Sequence, residues 1–155
     1  MEDDSAHWRA LERTGYWGAQ GAGSIFLARD TSRFLISHRS RAVEQPNTWG
    51  TWGGAIDKGE KPEVAARREA MEEAGHAGHL TMVPLYVFRD KKFRYSNFLA
   101  IVDQEFTPEL NWETQGYEWV EFGHWPHPLH FGLQAVLNDS RSMATIQKTL
   151  ASLRG

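Results

Sequence analysis

The sequence predicts an α/β fold in which a mixed central sheet is covered by helices. Three observations carry that expectation. Runs of apolar and aromatic residues, punctuated by turn residues, lie between Ser24 and Phe122 and read as strands. The stretch after Pro62 instead has helical spacing, as does the carboxyl-terminal end. With 155 residues the chain can hold one domain with a substantial core but not two of ordinary size. Residues 1–14 are expected to form an arm or short helix docked by Trp8 and Leu11, and residues 15–155 the domain, including the C-terminal helices.

Small residues from Gly18 to Gly23 lead into an apolar strand from Ser24 to Ala28, where glycine permits a bulge or close backbone approach. Arg29 to Ser32 form a turn, and Phe34 to His38 a second strand, which makes a hairpin. Ser40 to Trp52 read mostly as loop because Pro46, Asn47 and Gly50 interrupt them. Leu80 to Phe88 and Phe93 to Val102 are further strands around a charged turn, with Pro84 interrupting the first or delaying its start to Leu85. Glu105 to Thr114 read as an acidic loop, Tyr117 to Phe122 as a short strand. Helices are expected from His130 or Phe131 to Leu137 and from Met143 to Leu153.

Between them Gly54 to His76 reads GAIDKGEKPEVAARREAMEEAGH. Pro62 suits an early helical position, Glu63 the first turn, and Gly75 a left-handed helix end. Glu69, Glu72 and Glu73, at offsets of three and four, share one helical face. Carboxylates so placed repel unless a divalent cation gathers them, and hard oxygen ligands suit magnesium or manganese. At 100° per residue Val64, Ala70, Met71 and Ala74 fall on the other side and are expected to pack on the sheet. Arg67 falls among them, its stem at the core edge and its head in water.

The same stretch resembles the Nudix box, G-x5-E-x7-R-E-U-x-E-E-x-G-U with U apolar. Gly54, Glu60, Arg68, Glu69, Ala70, Glu72, Glu73 and Gly75 occupy its specified places, and His76 departs from the last. The departure concerns local packing, not metal chemistry. The resemblance implies a Nudix-type α/β/α sandwich with a mixed central sheet and a metal-binding helix. It implies Mg2+- or Mn2+-dependent hydrolysis of a phosphoanhydride bond in a nucleoside diphosphate linked to another group. A nucleoside triphosphate or small nucleotide derivative is the first expectation. ADP-ribose, a nucleotide sugar, a dinucleoside polyphosphate or an RNA 5' end are alternatives, and a nucleotide-binding module with little turnover is the contrasting reading.

Carried over by position, the resemblance makes Glu69, Glu72 and Glu73 the acidic metal ligands and adds the backbone carbonyl of Gly53 or Gly54. Glu60 supports the loop–helix arrangement and could assist a metal. Arg68 is expected to orient a ligand carboxylate, with phosphate contact as the alternative. The resemblance allows the proton acceptor to be a box glutamate or one from a later loop, where Glu113 is favoured among Glu105, Glu109, Glu113 and Glu118. Arg39, at the end of the second strand, resembles a basic residue near substrate phosphate. Trp52, where relatives carry proline, either walls a base pocket or fills core. His124, His127 and His130 superficially invite zinc, but Pro126 and Pro128 intervene and a fourth ligand is lacking.

The charge balance, 17 basic against 20 acidic residues, does not suggest a broad nucleic-acid-binding surface. The absence of cysteine excludes disulfides and thiolate nucleophiles. No apolar run spans a membrane and the amino terminus lacks the pattern of a secretion signal, so a cytoplasmic or host-cell interior setting is expected. The expected partners are a small nucleotide or an RNA 5' end, no membrane, and at family level a second copy of the chain in a homodimer.

Overall fold

The computed structural model describes residues 20–43, 45–91 and 93–154; the expected arm with Trp8 and Leu11 lies outside them. In chain order the elements are β1 (Gln20–Ala28), β2 (Phe34–Arg39), β3 (Trp49–Gly50), β4 (Trp52–Ala55), α1 (Pro62–Ala74), β5 (Thr81–Asp90), β6 (Phe93–Val102), β7 (Thr114–Val120), α2 (Phe131–Leu137) and α3 (Ser140–Arg154). Among the described residues the strands form one seven-stranded mixed sheet.

β1 organises this sheet. One edge pairs in parallel with β6 along its whole length, from Gln20↔Arg94 to Ala28↔Val102. The other edge is shared: Gly21 to Ser24 pair antiparallel with β4, and Phe26 and Leu27 with β2. β2 continues outward to β7 and also pairs with β3, so the sheet opens beside the β1–β4 pairing. The backbones there are so close that a Cβ on Gly53 would collide with the Ala22 carbonyl and the Gly23 Cα. Only glycine allows that approach.

Successive β1 side chains go to opposite faces, and both faces are buried. Ile25 and Leu27 join Phe34, Ile36, Leu99 and Ile101 beneath the C-terminal helices, which contribute Leu133, Val136, Ile146 and Leu150. Phe26 and Ala28 join Leu35, Trp52, Ala100 and Val102 beneath α1, which contributes Ala70 and Ala74. The result is the expected α/β/α sandwich.

Pro84 does not interrupt β5. The strand runs through it, with a register irregularity between Pro84 and Val87. Side chains take the backbone groups freed there. The Tyr86 N–H donates to Ser142 Oγ at 2.9 Å, and Asn97 Nδ2 donates to the Tyr86 carbonyl at 2.9 Å. This also fixes the first turn of α3 against the sheet. Two short strands occupy the end of the region expected to be mostly loop, and β7 begins at Thr114 rather than Tyr117.

α1 begins with Pro62 and ends at Gly75, whose φ of 71° is left-handed and whose N–H donates to the Met71 carbonyl at 2.9 Å. Its packed face differs from the expectation. Val64 and Met71 are 52% and 54% exposed, while Ala65, Ala66, Glu69, Ala70 and Ala74 are buried. Size decides the matter: a stripe of alanines brings the helix axis close to the sheet, which the longer Val64 and Met71 would prevent. Arg67 sits at the edge, donating to the Leu80 carbonyl at 2.9 Å and to Glu63 at 3.2 Å. His76 fills its apolar place as a ring, 4.6 Å from Phe106 and 6.1 Å from Phe26.

Candidate active site

One guanidinium joins the loop after β4 to the helix that follows it. Arg68 Nε and Nη2 donate to Glu60 Oε2 and Oε1, both at 3.0 Å, and Nη2 also donates to the Ala55 carbonyl at 3.0 Å. Nη1 turns the other way, reaching Glu69 Oε2 at 3.1 Å and Glu72 Oε1 at 2.9 Å. Such a fork fixes direction as well as charge. Glu60 closes the loop on itself by accepting the Asp57 N–H at 3.0 Å. Its carboxyl is held below the usual range, first by the hydrogen bonds from Arg68 and then by the Asp57 N–H.

The small-residue face of α1 pulls Glu69 inward to 7% exposure. A Cβ on Gly54 would lie 2.7 Å from Glu69 Oε2, so the glycine makes the space that the carboxylate occupies. Glu73, one turn on, accepts from Asn111 Nδ2 at 3.1 Å, and Asn111 Oδ1 accepts the Glu113 N–H at 2.9 Å. Asn111 thereby holds the loop that presents Glu113 to Glu73. Burial first, tempered by Arg68, pushes the Glu69 carboxyl up to about 7. Burial, then the charge and hydrogen bond of Glu113, also raises Glu73.

These groups fit a hard divalent cation. A buried carboxylate, Glu69, a half-buried one, Glu73, and a third beside them lack sufficient counter-charge, and they surround backbone bared by glycine. The Ile56 N–H bonds the Gln20 carbonyl at 3.0 Å, which makes Gly21↔Ala55 and Gly23↔Gly53 the non-hydrogen-bonded pairs of the β1–β4 ladder. The Gly54 carbonyl is therefore used within the ladder, whereas that of Gly53 points away from β1. Among the described residues no three acidic or histidine groups are already closed into a ligand cage. Arg68 and Asn111 occupy carboxylate oxygens that a cation would compete for.

Glu69, Glu73 and Glu113 stand at one part of a pocket of about 270 Å³. Arg39, at the end of β2 beyond a register shift, also lines it. A run of rings forms a further wall. His130 lies 4.4 Å from Phe131, Phe131 is 5.2 Å from Phe88, and Phe93 is 6.3 Å from both Phe88 and Tyr95. All five rings line the pocket. The Tyr95 hydroxyl, 3.5 Å from Thr51 Oγ1, is pushed up to about 12 by burial.

The model of the NUDIX domain matches residues 19–138 of this sequence. The chain belongs to the NUDIX family. It is 32% identical over 132 residues to a Mycobacterium tuberculosis protein provisionally named 8-oxo-dGTP diphosphatase 3, a match covering 77% of this chain and 61% of that relative's length. Among solved structures, the Nudix hydrolase RenU from M. smegmatis has a TM-score of 0.67 at 26% identity, covering 84% of this chain and 88% of RenU. A C. elegans Ap4A hydrolase shares the fold with a TM-score of 0.60 at 22% identity, over 87% of this chain and 98% of the worm protein.

Within this NUDIX domain Glu69, Glu73 and Glu113 meet at the pocket, with Gly53, Gly54 and Arg39 on its walls. Glu72 stands outside, its side chain 57% exposed and tied to Arg68. The structure narrows three readings that the sequence left with alternatives. Glu60 is not turned to a cation site, because Arg68 and the Asp57 N–H engage both its oxygens. Arg68 braces other side chains and does not line the pocket, so it is a positioning residue. The Trp52 ring is no free wall for a base: it is 1% exposed, with Nε1 donating to the Leu35 carbonyl at 3.2 Å.

Of the other acids weighed, Glu105 is held by Arg33 Nε at 2.6 Å and Nη2 at 2.8 Å, and Glu109 lies against Gly75 at the helix end. The sequence reading missed Phe88, Phe93, Tyr95 and Phe131 as site residues. Nothing in their spacing announces a common wall, since three elements bring them together.

Proposed function

We propose that this chain is a divalent-cation-dependent pyrophosphohydrolase of small nucleotides, with a nucleoside triphosphate as first expectation. One juxtaposition carries the reading: an acidic cluster braced by Arg68 shares a pocket with a cationic side chain and aromatic rings. A polyphosphate needs counter-charge and a base needs a flat apolar wall, and one small pocket offers both. Two similar proteins are named an 8-oxo-dGTP diphosphatase and an Ap4A hydrolase, and both names refer to nucleotides that contain phosphoanhydride bonds, which supports the same class.

Glu69 and Glu73 would hold magnesium or manganese with the Gly53 carbonyl, and Glu72 would join them by leaving Arg68. When bound, the cation supplies counter-charge to phosphate oxygens and makes water more acidic. The protein's own groups do the remaining work. Arg39 orients the phosphate chain from the opposite strand end. Glu113 accepts the proton of the attacking water as its oxygen bonds to phosphorus and the bridging phosphorus–oxygen bond breaks in line. Arg68, touching none of the reacting atoms, keeps Glu69 pointed into the pocket.

The test is a panel of nucleoside triphosphates, ADP-ribose, nucleotide sugars and dinucleoside polyphosphates with Mg2+ or Mn2+, products being resolved by mass. Cation-dependent cleavage of a phosphoanhydride, lost in Glu73→Gln, is the expected result. An intact protein that cleaves none of them would remove the reading.

A further inference from the structure

The imidazole of His130 is among the polar groups of the pocket wall that the proposed chemistry leaves unused. His130 caps α2, its Nδ1 accepting the Gly132 N–H at 3.1 Å. A neutral imidazole has one acceptor nitrogen and one donor, so a ring whose Nδ1 accepts carries its proton on Nε2. Burial, followed by the nearby positive charge of Arg39, lowers His130 to about 3, and the ring stays neutral throughout the physiological range. Nε2 has no hydrogen-bond partner among the described residues, yet the ring lines the pocket.

The donor is thus fixed in kind, and the residue that carries it is anchored in the pocket wall. The cap locks the tautomer, and the Trp49 carbonyl accepts the His130 N–H at 2.8 Å, which anchors the backbone. Arg39, which lines the same pocket, can only donate. Beside His130 run the rings of Phe131, Phe88, Phe93 and Tyr95, tilted to one another, which together give the pocket an aromatic wall for a base. Guanine offers adjacent acceptors at O6 and N7, whereas adenine places an amino donor at the corresponding exocyclic position. A donor facing a donor leaves both unpaired, and a site built around a hydrogen bond rejects the analogue that cannot make it.

We propose that His130 is a specificity-determining residue whose Nε2–H donates to the exocyclic oxygen of a 6-oxopurine, so that the pocket prefers guanine-type over adenine-type nucleotides. This rests on the reading of the pocket as a nucleotide site but not on turnover.

The test separates the ring's two nitrogens. In His130→Asn the side-chain oxygen still caps Gly132, since asparagine is a favoured N-cap, but no donor reaches the Nε2 position. In His130→Gln the longer amide keeps the donor and gives up the cap. Binding of dGMP and dAMP is measured by calorimetry in EDTA, and hydrolysis of dGTP and dATP with Mg2+ is measured beside it. The wild-type protein is expected to favour dGMP by about tenfold, the scale of one net hydrogen bond. His130→Asn should lose that preference with an unaltered melting temperature, and His130→Gln should keep it despite a lower one. No preference in the wild type, binding of neither nucleotide, or a preference intact in His130→Asn would each overturn the proposal. A His130-dependent preference without any phosphoanhydride cleavage would leave it standing and remove the hydrolase reading instead.

Discussion

Arg68 and Glu60 form a two-pronged ion pair, Nε to Oε2 and Nη2 to Oε1 both at 3.0 Å, that ties the glycine loop to the helix carrying the acids. Because the same guanidinium also reaches Glu69, loop and carboxylate are positioned as one unit. Lysine would keep the charge and lose the fork. Arg68→Lys should therefore fold, need more Mn2+ for half-maximal activity, and lose roughly 10- to 100-fold in kcat/KM, the usual scale for a partner behind a metal ligand. A cation titration of activity checks this, and an unchanged midpoint would argue that Arg68 is a surface ion-pair residue.

Gly53 and Gly54 are neighbours with different jobs. An added methyl at Gly54 meets only the far end of a side chain, Glu69 Oε2 at 2.7 Å, whereas one at Gly53 meets the backbone of β1. Gly54→Ala should retain a cooperative melt and bind Mn2+ weakly. Gly53→Ala should lower the melting temperature itself, because strands cannot move aside as a carboxylate can. Melting curves with and without Mn2+ distinguish the two outcomes.

Protons and cations compete for the same carboxylates. Glu69 moves from an ordinary 4.5 to about 7 on folding, and Glu73 also moves upward. Between 4.5 and 7 the folded state thus binds more protons than the unfolded one, so stability falls as pH rises through this window. This contribution is fully present below 4.5 and lost above about 7. In EDTA the protein should melt lower at pH 8 than at pH 6, and Mn2+ should raise the melting temperature more at pH 8. Glu69→Gln should flatten the EDTA difference. A slope unchanged in that variant would place its origin elsewhere.

The packed stripe of α1 makes a separate claim about stability. Val64 and Met71 are exposed, so Val64→Lys and Met71→Lys should each change stability by less than about 0.5 kcal/mol. Ala70 is fully buried against the sheet, and Ala70→Leu should cost about 1–3 kcal/mol through overpacking. Denaturant titrations of the three variants measure both halves of this prediction.

That stripe also explains where the sequence misleads. Apolar character alone assigns Val64 and Met71 to the inside, but helix–sheet distance is set by side-chain volume, and the alanines win. The acids of α1 were legible because their offsets lie within one helix, and Gly75 because helix ends need a left-handed residue. Glu113 was legible only as one of several downstream acids; the Asn111 bridge that sets it beside Glu73 depends on tertiary placement. The aromatic wall was illegible for the same reason, since the β5–β6 hairpin and the start of α2 meet only after folding. Trp52 was left open between pocket and core, and strand alternation turns its ring to the buried α1 face.

The central claim is that Glu69 and Glu73 gather a hard cation beside the nucleotide pocket. The most direct measurement is an electron paramagnetic resonance titration of Mn2+ with a non-hydrolysable nucleoside triphosphate analogue present, on wild type, Glu69→Gln and Glu73→Gln. Saturable Mn2+ binding by the wild type, weakened more than about tenfold in both variants while each still melts cooperatively, is the predicted result. Equal binding by all three proteins would contradict it.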